Sequence, residues 1–81
     1  MQHKTLWNSI EQLAKLQGLT CSALAKRSGL DATTFNKSKR FSSDGTPRWP
    51  SCATIAKIIE ATNTSLLEFA EIFYKSAQEQ K

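Results

Sequence analysis

Apolar residues recur at helical spacing over most of this chain. Leu6, Ile10 and Leu13, with Trp7 and Ala14 beside them, predict a helix over about 4–17, and Gly18 supplies its stop. Trp7 reads as core, whereas His3 falls in a terminus expected to fray and, standing alone, forms no metal or catalytic site. A second helix is predicted over 21–28, with Thr20 as N-cap, Leu24 and Ala25 inward, Lys26 and Arg27 in solvent, and Gly29 at its end. A third is predicted over 32–38, capped by Asp31 and anchored by Phe35, with Leu30 plugging the turn between the two. Ser51 opens a fourth over 52–62, whose face is read as Cys52, Ile55, Ile59 and Thr62 with Ile58 at its edge, and Asn63 is its terminator. Ser65 and Glu68 have capping-box spacing for a fifth over 65–78. Its predicted core stripe is Leu66, Phe69, Ala70, Phe73 and Ala77, which leaves Leu67, Ile72 and Tyr74 as an apolar surplus. The polar tail SAQEQK is expected to fray.

Between the third and fourth helices the periodicity lapses into KRFSSDGTPRWP, a loop by its Ser, Asp, Gly and Pro content. Phe41 and Trp49 are expected to tack this loop to the core. Arg48, between Pro47 and Trp49 in a stiffened segment, is placed to reach a phosphate.

At 81 residues the chain predicts one small all-α domain over 1–81. Its two cysteines, Cys21 and Cys52, make neither a disulfide framework nor a zinc ligand set and read as free thiols. No apolar run approaches the ~20 residues that span a bilayer, and no secretory leader is legible, which predicts a soluble cytoplasmic domain. No Gly-rich phosphate loop, paired carboxylates or nucleophile-and-base spacing is present, so no enzyme activity and no cofactor are expected.

Charge changes the picture by its position. The stretch from Lys26 to Arg48 holds six basic and two acidic residues, which equals the +4 of the whole chain; the remaining cations and anions balance. A neutral helical scaffold with one basic segment has the electrostatic footprint of nucleic-acid binding.

The stretch LTCSALAKRSGLDATTFNKSKR, Leu19 to Arg40, resembles the helix-turn-helix of lambda-repressor-like (XRE family) transcriptional regulators. The likeness rests on Ala25, Gly29, Leu30 and Phe35 at the family's relative spacing, and covers residues of about 4 to 74. Two positions depart from it: Cys21 stands where the family often has Gln, and Ser38 where a buried aliphatic residue is usual. The run GTPRWPS is also similar to a segment of LexA-type phage repressors. The resemblance implies a five-helix DNA-binding domain, a phage-type repressor whose helix 32–38 reads the major groove while the helix before it braces the backbone. Such a repressor's other half is a self-cleaving peptidase, none of which these residues carry.

Under that reading Ala32, Thr33, Asn36 and Lys37 are the base contacts, Lys37 divided between guanine and phosphate, and Asn36 foremost because a carboxamide bonds adenine through two atoms. Ser22, Lys39, Arg40 and Arg48 are the phosphate contacts, which position the protein without specifying sequence. The partner is a palindromic double-stranded operator, bound by a twofold homodimer on half-sites ~34 Å apart. The rival reading is a protein-interaction module, an antitoxin or adaptor using the same fold, for which the apolar surplus of the fifth helix speaks.

Overall fold

The computed structural model describes residues 1–79. Four α-helices are present among them: α1 (His3–Leu16), α2 (Cys21–Arg27), α3 (Cys52–Ala61) and α4 (Leu66–Glu79). No strand forms among the described residues, and no helix is long and apolar enough to cross a membrane. Of the polar tail, Ser76 to Glu79 continue α4, and residues 80–81 lie outside the described residues.

Local chemistry sets the helix ends. The Thr20 hydroxyl accepts from the Ala23 amide at 3.1 Å, and the Ser51 hydroxyl from the Thr54 amide at 3.1 Å. At α4 the capping is reciprocal: Ser65 Oγ accepts from the Glu68 amide, and Glu68 Oε1 from the Ser65 amide, both at 3.0 Å. Three helices end the same way. Gly18, Gly29 and Asn63 take positive φ, and the next amide, of Leu19, Leu30 and Thr64, reaches back to the carbonyl of Ala14, Ala25 and Ile59. Such a left-handed residue satisfies the last carbonyls, and Gly does it without a Cβ penalty. Leu19 and Leu30 then fold onto the core.

That core joins Trp7, Ile10, Leu13 and Ala14 of α1 to Leu24 and Ala25 of α2, Phe35, Ile58 of α3 and Phe69 of α4. Leu6 is half-buried against it. Helix α1 is the hub, packing on both α2 and α4, while α3 packs on α2.

Three expectations are corrected. The third predicted helix does not form as an α-helix. Residues 32–35 make successive turns, and Asn36 is extended (φ −64°, ψ 147°), ahead of a 3₁₀ turn at Lys37–Lys39. The cause lies in the side chains. Thr33 Oγ1 donates to Asp31 Oδ1 (2.6 Å) and Thr34 Oγ1 to the Asp31 carbonyl (2.6 Å), which holds the backbone in short turns rather than a helical ladder. Beyond Phe35 there is no second apolar anchor, since position 38 is a serine, and Lys37 and Lys39 bring like charge close together. Second, α3 buries Ile58 and Thr62, half-buries Ile55 and Ile59, and exposes Cys52. Third, α4 buries Phe69 and Ser76 and half-buries Ile72 and Phe73, whereas Leu66 and Ala70 face solvent. Each of these outer helices meets chiefly one neighbour, so its buried face is narrower and rotated from the apolar arc.

Urea denaturation should reproduce that rotation. Phe69→Ala is expected to cost about 3–5 kcal/mol, and Leu66→Ala less than about 0.5 kcal/mol. Comparable losses would return Leu66 to the core.

Candidate nucleic-acid interface

The segment from Arg40 to Arg48 is a short hairpin. Phe41 and Pro47 pair as a single antiparallel bridge, and the Arg48 amide donates to the Arg40 carbonyl at 2.8 Å. At its tip Asp44 Oδ1 accepts from the Ser42 hydroxyl and from the Thr46 amide (3.0 Å). Those bonds hold the Asp44 carboxyl down to about 2. The Asp31 carboxyl is likewise lowered, first by the Thr33 hydroxyl and then by the Thr33 amide. Both acids of the basic stretch are thus occupied with their own turns.

Two side-chain ties fasten the hairpin to α1. Arg40 Nη2 donates to Glu11 Oε1 at 3.0 Å and to the Phe35 carbonyl at 3.2 Å, and its guanidinium carbon stands 5.3 Å from the centre of the Trp7 ring. The second tie converges on the Arg48 carbonyl oxygen, which lies 2.8 Å from His3 Nε2 and 3.0 Å from Trp7 Nε1. Trp7 Nε1–H donates both to this oxygen and to His3 Nε2, the latter at 2.9 Å, so the three groups close one triangle. The His3 ring also meets Phe41 (4.9 Å between centres) and Trp49 (5.2 Å, edge to face). These aromatics do tack the loop down, but onto His3 rather than into the core, and each stays about half exposed (51% and 50%).

The expected contact residues separate accordingly. Lys37, Lys39 and Arg48 are exposed and line one shallow concavity with Phe41 and Ser42. Lys39 and Arg48 also form the rim of a neighbouring cleft of about 360 Å³, whose walls include Thr33, Thr34, Thr54 and Trp49. Asn36 and Thr33 are exposed, Ala32 and Ser22 half-buried, and Ser22 lines neither concavity. Because the chain turns extended at Asn36, Ala32, Thr33, Asn36 and Lys37 do not share one helical face. Arg40 departs furthest from its expected phosphate-contact role: its side chain is 11% exposed, its charge is matched by Glu11, and its Nε is buried with no acceptor among the described residues. Cys21, at the position where the family often has Gln, is half-buried; burial first and the Glu11 carboxylate second push its thiol up, so it stays protonated at neutral pH.

Sequence reasoning missed His3, which is the first residue of α1 rather than a frayed end. The one legible signal is its spacing from Trp7, four residues along the same face. Its other partner, the Arg48 carbonyl, is 45 residues away and leaves no local trace.

Two predictions check this geometry. Arg40→Ala should lower stability by about 2–4 kcal/mol, less than for a wholly buried pair because Glu11 is 30% exposed, whereas Lys39→Ala should change it by under about 0.5 kcal/mol. Equal, small effects in chemical denaturation would place Arg40 in solvent. The depressed Asp44 carboxyl stabilises the hairpin above its ordinary value of 3.8, and that contribution is lost as pH falls through about 2. Carboxyl-carbon NMR titration should give a midpoint near 2 for Asp44, and Asp44→Asn should flatten the hairpin's response between about pH 4 and 2. A midpoint near 4 would mean that the tip is open.

Comparison with protein-family models, with curated proteins and with solved structures returns no match to this chain.

Proposed function

We infer that this domain is a sequence-specific DNA-binding transcriptional regulator, a phage-type repressor of the lambda-repressor-like kind. The observation that carries the reading is the gathering of Lys37, Lys39 and Arg48 on one exposed surface while the two nearby acids are tied into their own turns. In this reading α2 braces the phosphate backbone through Ser22, and the segment 32–37 enters the major groove with Asn36 as principal base reader, seconded by Thr33, Ala32 and Lys37. The helix-turn-helix arrangement is then completed on DNA: the 32–39 turns already carry i→i+3 bonds, from Asn36 to the Thr33 carbonyl and from Lys39 to the Asn36 carbonyl, and neutralising the lysines removes the repulsion that opposes winding. Lys39 and Arg48 hold phosphates, and Arg40 acts from inside by fixing the segment's far end.

A twofold homodimer on a palindromic operator belongs to the same proposal. Leu66, Leu67, Ala70 and Tyr74 leave an exposed apolar arc on α4 that suits self-association. That arc also favours a second reading, a domain that holds a partner protein. Salt separates the two, because phosphate-led binding weakens steeply as salt rises.

The test is fluorescence anisotropy on a site selected from random duplex, repeated across salt concentrations. Arg48→Ala should weaken every sequence alike and reduce the salt slope by about one. Asn36→Ala should cost about 1–3 kcal/mol on the selected site and much less on random duplex. No selected site and no binding at low salt would overturn the reading.

A further inference from the structure

The duplex reading uses the cations of the 37–48 surface and leaves its two exposed rings without a task. Phe41 and Trp49 line two concavities that have Lys39 and Arg48 in common. Phe41 stands in the shallow concavity that also holds Lys37, and Trp49 in the neighbouring cleft. Lys39 and Arg48 border both. Both rings stand against the same His3 imidazole, and the Arg48 carbonyl is within hydrogen-bond distance of His3 and Trp7, so one support underlies both rings and the Arg48 backbone. Two half-exposed aromatics, flanking cations and a cleft of about 360 Å³, at the lower end of the ~300–1,000 Å³ of small-molecule sites, make a surface of nucleotide dimensions.

Bases inside a duplex are stacked on each other and offer no face to such rings. Splayed bases of a single strand do, and single-strand binders combine stacking rings with a cationic track. We propose that this face binds single-stranded nucleic acid, with one base on Trp49 in the cleft, the next on Phe41, and the phosphate between them on Lys39 and Arg48. Duplex and single strand share Lys37, Lys39 and Arg48 and therefore compete. The proposal needs neither a helix at 32–38 nor a dimer, and stands apart from the operator reading.

The test is titration of the 81-residue protein with dT and U hexamers at low salt, read by tryptophan emission and by anisotropy. Trp49, 50% exposed, is the indole open to stacking, and Trp49→Phe, which leaves Trp7 as the remaining indole, should abolish the change in emission. Both hexamers should quench tryptophan emission; tighter binding of one names DNA or RNA as the source. Trp49→Ala and Phe41→Ala should each weaken hexamer binding about 5- to 100-fold, with Trp49→Phe restoring most of the Trp49 loss. A wholly abasic hexamer, used on the unaltered protein, keeps the phosphates and removes the stacking. It should bind at least ~25-fold more weakly and leave emission unchanged. An abasic strand bound as tightly as dT, or a duplex that quenches emission as strongly as the single strands, would overturn the proposal. Failure of the hexamers alongside a selected duplex site would sink this inference and leave the operator reading standing.

Discussion

The placement of everything between α2 and α3 depends on one guanidinium. Arg40 reaches from the start of the hairpin to Glu11 in the middle of α1, takes the Phe35 carbonyl on the way, and lies over Trp7. Phe35 is 1% exposed and is the apolar anchor of a segment with no regular helix of its own. Without a helical ladder, that segment needs its backbone groups met by side chains. Arg40 meets the Phe35 carbonyl, and Asp31 and the two threonines satisfy the turn before it. The ion pair matters less for its Coulomb energy than for the register it imposes on the chain.

Fixing Arg40 inward also sorts the charges of the basic segment. Its cation is matched by Glu11, and Asp31 and Asp44 are tied into local turns. Lys37, Lys39 and Arg48 are left as exposed cations on one surface. Lys26 and Arg27, the other exposed cations of the stretch, belong to α2. The Arg48 carbonyl, doubly held by His3 and Trp7, sets where one of those cations starts. The same imidazole props the two exposed rings, so the electrostatic and the aromatic parts of the surface share one support.

Four of five predicted helices were legible, and so were their ends. Thr20, Ser51 and the Ser65–Glu68 pair cap as their spacing predicts, and Gly18, Gly29 and Asn63 terminate as their conformational preferences predict. These devices act over three to five residues and need no knowledge of the rest of the chain. Leu24, Ala25, Phe35 and Trp7 were legible as core for a similar reason: each sits where a helix or turn has a single sensible inward direction.

What tertiary structure alone decided is long-range. Where Arg40 sends its charge was settled by Glu11, 29 residues away on α1. Which part of the apolar arc of α4 is buried depended on its having α1 as its main neighbour, a fact no periodicity contains. His3 acquired a role only when a carbonyl 45 residues away arrived beside it. The sequence by itself determined where helices start and stop and that positive charge concentrates between Lys26 and Arg48, because capping and composition are local. Which cations face solvent, which rings flank them and which faces are buried was decided by packing between distant segments, because burial is a property of neighbours in space.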